Sequence, residues 1–370
     1  MAWNWQEPNW PNFTWDRSRL SAAEEQFLLG SGVAIGAVRH LDKDEHNQLL
    51  LEVMSAEAVT TSAIEGEILN RASVQSSILG QLGLTSPDRR KIKPAEQGIA
   101  EMMVDLYRSF SQPLSGAVLF GWHRMVTSGR KDLGAVGQYR TSREPMQIVS
   151  GPIGDRKVHF EAPPSKQVSA EMKRFLLWFN RTTSHGKEAL PAITRAGIAH
   201  LYFESIHPFE DGNGRIGRAI AEKAIAQSFG QPVLTGLATT ILAHQKSYYQ
   251  ALEKANQRNE ITEWLVWFAG IALEAQRRSL ALTEFIIAKA KMLDRLRGQI
   301  NDRQQKALLR MIREGPEGFE GGLSAGKYGT ITGATTATTT RDLADLVEKG
   351  ALTRTGERRH ARYALNLDSN

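Results

Sequence analysis

Through residues 22–69 the apolar positions recur at three- and four-residue spacing, as at Leu49, Val53, Ala56 and Ile64, with little proline between them. That period belongs to one face of a helix, so the segment predicts consecutive helices. Single apolar faces of the same period recur over 94–110, 115–128, 167–180, 192–204, 215–228 and 247–255, and a longer pattern runs from Ile261 to about Arg297. The expected fold is therefore mainly α, built as a helical bundle. One stretch departs from this pattern. Between Tyr139 and Pro163, Met146, Ile148, Lys157, His159 and Phe160 flank the turn-rich run Ser150-Gly151-Pro152-Ile153-Gly154-Asp155, which predicts a two-stranded ribbon. A lone hairpin on a helical body offers an unpaired edge for docking.

After Gly298 and the glycine-rich 315–322 the pattern changes again. It predicts a helix over 304–313, a short turn, a helix over 336–348 and a ribbon over 352–367 around Gly356. Three regions result: an N-terminal helical region over 1–90, a central domain over 91–298 and a small C-terminal domain over 299–370. The four tryptophans Trp3, Trp5, Trp10 and Trp15 are too much aromatic surface for a solvated tail and are expected to pack on the body.

Composition narrows the chemistry. The chain of 370 residues has no cysteine, which excludes disulfides, thiolate metal sites and cysteine nucleophiles and fits a reducing compartment. No basic n-region with an apolar core opens the chain and no apolar run is long enough to span a bilayer, so the expected location is the cytoplasm. A formal charge of +6, from 46 Lys and Arg against 40 Asp and Glu, keeps a nucleotide or nucleic acid partner in play without requiring one.

The densest chemical signal is the run His207-Pro208-Phe209-Glu210-Asp211-Gly212-Asn213-Gly214-Arg215-Ile216-Gly217-Arg218. Pro208 and the glycines stop one helix and permit a tight turn, and helical periodicity resumes at Arg215. Backbone N–H groups at that new N-terminus, with glycines that let a ligand approach, form an anion nest. Arg215 and Arg218, three apart, share a face and can reach adjacent phosphates. Asp211 supplies the single carboxylate that suits Mg²⁺ completed by phosphate oxygens, and His207 is a base of suitable pKa. Phe209 reads as an apolar anchor and Glu210 as a solvated neighbour.

This run resembles, at every defining position, the His-x-Phe-x-Asp/Glu-Gly-Asn-Gly-Arg-x-x-Arg signature of Fic-domain proteins, and the stretches 199–206 and Gly137-Gln138-Tyr139-Arg140 also look like that family's core. The resemblance implies a helical domain that transfers AMP from ATP to Ser, Thr or Tyr hydroxyls. It implies His207 as general base, Asp211 as Mg²⁺ ligand, Gly212, Asn213 and Gly214 around the phosphates, Arg215 and Arg218 on the outer phosphates, and the hairpin residues Ile148, Val149, Val158 and His159 as a flap for the target protein. Tyr248 and Tyr249 are candidates to border the adenine, with helix packing as their alternative role. Related Fic proteins move other phosphate-containing groups or remove AMP, and these reactions stay open.

Thr61-Ser62-Ala63-Ile64-Glu65-Gly66 resembles the family's inhibitory Ser/Thr-x-x-x-Glu-Gly/Asn motif. A carboxylate in the last turn of a helix is disfavoured by the dipole, so Glu65 calls for an outside partner. The resemblance points to Arg218. At the C-terminus, Thr336 to Arg341 on one helix and Arg354, Arg358, Arg359, His360 and Arg362 on the ribbon look like a winged helix-turn-helix, which would make the chain a DNA-binding regulator. From residue 301 on there are eleven Lys and Arg against nine Asp and Glu, so protein docking or homodimer formation stays equally open.

Overall fold

A computed structural model describes residues 2–39, 41–85, 92–151, 156–232, 235–315, 318–319 and 321–367. Residues 152–155 of the expected hairpin turn, residues 316, 317 and 320 of the glycine-rich stretch, and the Arg359 side chain lie outside the described residues. The chain divides into two compact units, residues 1–33 with 50–277, and residues 34–49 with 278–370.

The first unit is mainly helical, as the periodicity predicts. Its elements are α1 (Ser21–Arg39), α2 (Lys43–Ile64), α3 (Arg71–Leu82), α4 (Pro94–Ser109), α5 (Gly116–Val126), the hairpin β1 (Gln147–Ser150) and β2 (Lys157–Glu161), α6 (Ser165–Arg181), α7 (Ala192–Ile206), α8 (Asn213–Phe229), α9 (Leu237–Ala243), α10 (Gln245–Ala255) and the long α11 (Thr262–Arg295); α1, α2 and α11 continue into the second unit. Local chemistry sets several ends. Pro94 opens α4 where a helix N–H has no partner, the Ser115 hydroxyl accepts from the Val118 N–H at α5, and Gly83 and Gly230 close α3 and α8 in the left-handed conformation.

Helix α7 is the centre of the unit. All of its residues from Ile193 to Ile206 are buried, and α8 beside it is buried from Arg215 to Ala226. Two glycines permit that density: a Cβ at Gly197 would meet the Leu265 side chain at 2.8 Å, and one at Gly217 would meet the Glu204 carboxyl at 2.5 Å. The N-terminal tryptophans do pack on the body. Trp3 meets Phe160 of the hairpin edge-on at 5.4 Å, the Trp5 indole donates to the Glu161 carbonyl at 2.6 Å, and Trp10 donates to Glu171 at 3.0 Å while crossing Tyr202. The arm thereby fixes the base of the hairpin.

The second unit holds α12 (Asp302–Ile312), α13 (Ala325–Thr332), α14 (Thr336–Glu348) and an antiparallel hairpin of β3 (Leu352–Thr355) and β4 (Arg362–Leu365). Helix α13 stands where the sequence predicts only a short turn. Two glycines and two threonines within Ala-Gly-Lys-Tyr-Gly-Thr-Ile-Thr give it weak intrinsic propensity. It is held instead by the Ser324 cap, by Gly333 at its end and by buried Tyr328, whose hydroxyl donates to Asp342 at 2.9 Å. Asp342 also accepts from Arg303 at 3.0 Å, so one carboxylate ties α12, α13 and α14 together.

The contact between α4 and α5 tests how tightly the first unit is packed. A Cβ at Gly98 would lie 1.9 Å from the Met125 carbonyl oxygen, whereas one at Gly121 meets nothing within 4 Å. Gly98→Ala is expected to cost about 1–3 kcal/mol by forcing the helices apart, and Gly121→Ala to be neutral or to gain up to about 1 kcal/mol from helix propensity. Chemical denaturation of the two variants measures both, and equal stabilities would contradict the packing described.

Candidate active site

The site is built on the connection between α7 and α8. Pro208 to Gly212 reverse the chain in a handful of residues, which requires two left-handed positions, His207 at φ 49° and Gly212 at φ 81°. Glycine takes that conformation freely, whereas histidine does so at a cost of order 1–3 kcal/mol. Among the described residues His207 and Arg358 are the non-glycine residues with positive φ. The surroundings hold His207 there. Its N–H donates to the Phe203 carbonyl at 3.0 Å, and its carbonyl accepts from the Arg140 Nε at 2.8 Å. The Arg140 N–H donates to the Pro208 carbonyl at 2.9 Å, so one buried cation closes the C-terminus of α7.

Phe209 is the apolar anchor of the loop, fully buried and stacked on His123 at 4.2 Å. Asn213 clamps the same turn by accepting from the Phe209 N–H at 3.0 Å and donating to its carbonyl at 2.9 Å. Glu210 is not a solvated neighbour. It accepts from the Gly134 N–H at 2.8 Å and the Ala135 N–H at 3.3 Å, fastening the stretch that leads to Arg140. Nothing in the local sequence pairs Glu210 with residues so far back in the chain.

The cations meet acidic partners. Arg218 donates from Nε to the Thr61 hydroxyl at 2.7 Å, and from Nη2 to the Thr61 carbonyl at 2.9 Å and to Glu65 at 2.7 Å. Arg215 donates to Glu67 at 2.8 Å and to the Val126 carbonyl at 3.1 Å, with Asp211 at 3.4 Å. Glu65 and Glu67, two apart beyond α2, thus face Arg215 and Arg218, three apart on α8. Glu67 was not singled out from the sequence, although the Glu65-Gly66-Glu67 spacing carries the signal. Asp211 also accepts from Arg130. Burial alone would raise the Asp211 carboxyl, but Arg215, the Gly212 N–H and Arg130 outweigh it and hold it below its ordinary value.

Glu65 lies over the start of α8. A Cβ on Gly214 would come within 2.1 Å of its carboxylate oxygen, so only glycine leaves room for an anion there. Arg218 Nη1 lies 3.1 Å from the same point, and it and Arg215 Nε are buried without a hydrogen-bond partner, an arrangement that an anionic ligand could complete. The His207 side chain is 13% exposed, and with Nδ1 buried, Nε2 is the nitrogen able to meet a substrate. Burial, followed by the charge of Arg140, pushes its pKa down to about 4, so the ring is a neutral base at physiological pH.

The other expected site residues are distributed around this centre. The Tyr249 hydroxyl donates to the Ile64 carbonyl at 3.1 Å, while its ring is 45% exposed. Tyr248 is buried behind it at 5.1 Å, its hydroxyl 2.9 Å from His200 Nε2. On the hairpin Ile148, Val149 and Val158 are exposed, and His159 pairs with Glu253 of α10 at 3.1 Å. A bulge between Ile148 and Val149 breaks the register.

The fold and this geometry can be set beside known proteins. Residues 113–225 match the family model described as the Fic/DOC family. Residues 113–225 form a Fic domain. Residues 3–84 match a second model, described as a domain of unknown function, DUF4172. A probable protein adenylyltransferase of Aquifex aeolicus is 26% identical over 98 residues, 26% of this chain and 27% of its own length. A protein adenylyltransferase of Caenorhabditis elegans is 26% identical over 200 residues, 53% of this chain. The match spans 35% of that protein, so the chain covers only about a third of these relatives. A Fic family protein of Desulfovibrio desulfuricans shares the fold at a TM-score of 0.54 and 22% identity, over 97% of this chain and 99% of that one. In the Fic domain the matched segment contains the whole turn from His207 to Arg218.

The helix that ends in Glu65 is itself attached through buried charge. Glu57 of α2 accepts from the Ala238 N–H at 3.0 Å and Glu222 of α8 accepts from the Thr235 and Leu237 N–H groups at 3.0 Å, so two buried carboxyls grip one segment. Burial and, for Glu57, the nearby Glu222 raise them, so the folded protein holds a proton that the unfolded chain releases near pH 4.5. Their contribution is complete below that pH and fades as pH rises, for Glu57 toward about 8. His123, His200 and His207, pushed down to about 4 mainly by burial, act in the opposite sense, their contribution being present above 6.5 and lost as pH falls toward 4. Between pH 6.5 and 8 the carboxyls dominate, and stability is expected to fall by about 1–2 kcal/mol. Melting curves of Glu57→Gln should show a flatter dependence over that window, and an unaltered slope would refute the retained proton on Glu57.

Proposed function

We propose that the protein transfers AMP from ATP to a Ser, Thr or Tyr hydroxyl of a target protein, or of itself, with His207 as the base. The observation that carries this reading is the pairing, on one strained turn, of a neutral buried imidazole with a glycine-floored helix N-terminus flanked by two arginines with unpaired buried N–H groups. The hydroxyl oxygen attacks the α-phosphorus, the bond from that phosphorus to the bridging oxygen breaks, and pyrophosphate leaves with the electron pair. The hydroxyl proton passes to His207 Nε2. Gly212, Gly214 and the first N–H groups of α8 cradle phosphate oxygens, Arg215 and Arg218 hold the outer phosphates, and Asn213 keeps the cradle in shape.

Asp211 is the group that would hold Mg²⁺, which when bound neutralises charge on the departing diphosphate. The donor set fits: the carboxyl is held ionised, and Arg130, 42% exposed, is a displaceable partner. Adenine is assigned to the exposed Tyr249 ring backed by Tyr248. Ile148, Val149, Val158 and His159 form the flap on which a target segment adds as a strand. Glu65 acts as a brake, since its carboxylate occupies the anion position above Gly214 and neutralises Arg218.

Incubation with ATP labelled on the α-phosphate tests the whole reading. Glu65→Gly is expected to raise label on protein at least about tenfold, equivalent to ~1.4 kcal/mol, and adding His207→Ala should remove about 10²- to 10⁴-fold of it. Equal labelling of all three proteins would overturn both roles.

For the C-terminal unit we propose a winged helix-turn-helix that docks on duplex DNA, favoured by the exposed Thr336, Thr340 and Arg341 on α14 and the exposed Arg354 and Arg358 on the hairpin. Fluorescence anisotropy should then show salt-dependent binding, with Arg341→Ala lowering the salt slope by about 1. No binding at low salt would leave this unit to protein docking or dimer formation.

A further inference from the structure

Behind the proposed base, His200 and Glu204 stand at i and i+4 on one face of α7, and His207 follows at the left-handed cap that ends the helix. Each has a buried polar atom without a hydrogen-bond partner: His200 Nδ1, Glu204 Oε1 and His207 Nδ1. Three such atoms on neighbouring side chains are unusual in a packed core. They are also close. Glu204 Oε2 lies 3.7 Å from His207 Nδ1. On its other side, Glu204 Oε1 and His200 Nδ1 flank one point, at 2.5 and 3.1 Å from where a Cβ of Gly217 would be. The row ends in a made bond, His200 Nε2 to the Tyr248 hydroxyl at 2.9 Å.

We propose that Glu204 is the positioning residue of the base: its carboxyl group bridges His207 to His200 and keeps the His207 proton on Nδ1, leaving Nε2 free to accept the substrate proton. The inference rests on the reading of His207 as base and deepens it. One arrangement satisfies all three orphaned atoms. The Glu204 O–H donates from Oε1 to His200 Nδ1, the Glu204 carbonyl oxygen accepts the His207 Nδ1–H, and His200 donates from Nε2 to Tyr248. This requires a neutral acid. Glu204 is buried and faces Glu65 from the end of α2, both of which favour the protonated form, with Arg218 of α8 opposing, and its pKa is pushed up to about 8. His200, buried against Arg218, is pushed down to about 4 and is neutral as well. His207 faces Arg140, Glu65 and Asp211, and its ring also meets the Glu204 main-chain carbonyl, an acceptor that likewise favours the proton on Nδ1. Tyr248 of α10 is raised far above neutrality and keeps its proton.

The charge state separates this arrangement from a carboxylate that stabilises an imidazolium, as in a Ser-His-Asp triad. A neutral acid is mimicked by an amide, which offers the same C=O and N–H, whereas a carboxylate is not. In the Glu65→Gly background, Glu204→Gln should retain kcat within about threefold, and Glu204→Leu should lower it at least about tenfold with KM for ATP unchanged. The protonated nitrogen is read without turnover by ¹⁵N NMR of histidine-labelled protein, the His207 signals being assigned by their loss in His207→Gln. Nδ1–H is expected in the wild type and in Glu204→Gln. The wild-type His207 signals should show an inflection near pH 8 as Glu204 ionises, and Glu204→Gln none. If Glu204→Leu does not fold, this titration decides alone. The proposal falls if Glu204→Gln is as impaired as Glu204→Leu, if the wild-type proton sits on Nε2, or if wild type and Glu204→Gln titrate alike. Because the NMR readout needs no target protein, a failure of AMP transfer and a failure of the bridge are told apart.

Discussion

Two helices buried along nearly their whole length must be joined by a connection short enough to keep them in contact, and the chemistry of the site follows from that constraint. The α7–α8 turn reverses the chain through His207 and Gly212 in left-handed conformations, and its polar groups are satisfied from within by Asn213 and from outside by Arg140. A longer loop would relieve the strain on His207 and would also let the imidazole move away from the N-terminus of α8. The cost of the left-handed histidine is therefore tied to its closeness to the anion nest. Gly217 belongs to the same constraint, since any side chain there would push α8 off Glu204 and away from the base.

The nest at the start of α8 already faces an anion. Glu65 stands above Gly214 and pairs with Arg218, while Glu67 pairs with Arg215, so each cation of the motif has a carboxylate partner from the segment that follows α2. These pairs do not have equal standing. Arg218 has a side chain only 2% exposed and Glu65 one of 31%, so the carboxylate is the member that can leave toward solvent. Leaving would strand a buried guanidinium, which is expensive unless another anion arrives. Exchange of one anion for another is the low-cost path, and it couples the position of α2 to whatever occupies the nest. The carbonyl of Ile64, held by Gln245 and Tyr249, and the Glu57 grip on residues 238–239 are the further contacts that such an exchange must strain or break.

Much of this was legible in the sequence because helical period and turn chemistry are local. The helices of the first unit other than α3 and α9, the hairpin and the turn from His207 to Arg218 follow from spacing within a dozen residues. What escaped depends on long-range pairing. Glu210 reads as solvated until the 134–135 backbone comes to it, Glu67 is one acid among many until it meets Arg215, and Arg140 carries no local sign of closing α7. Helix α13 escaped for a related reason: its glycines and threonines argue against a helix, and Tyr328 on Asp342 overrides them. Glu204 was visible only as a neighbour of the motif, since a helix position says nothing of the charge state that burial imposes.

The balance of charge explains why burial of so many ionisable groups is tolerable here. Four arginines, Arg130, Arg140, Arg215 and Arg218, surround the turn, against the carboxyls of Asp211, Glu65 and Glu67, with Glu204 kept neutral by its surroundings. If Glu204 were ionised, its charge would partly cancel that of Arg218, and the attraction of the nest for a second anion would weaken. A neutral Glu204 leaves the field of the arginines directed outward to the start of α8, while still providing a hydrogen-bond acceptor at His207. Basicity of the imidazole and affinity of the nest for phosphate therefore make opposite demands on the same carboxyl group. Protonation at Oε1, shared with His200, is the arrangement of this row that meets both.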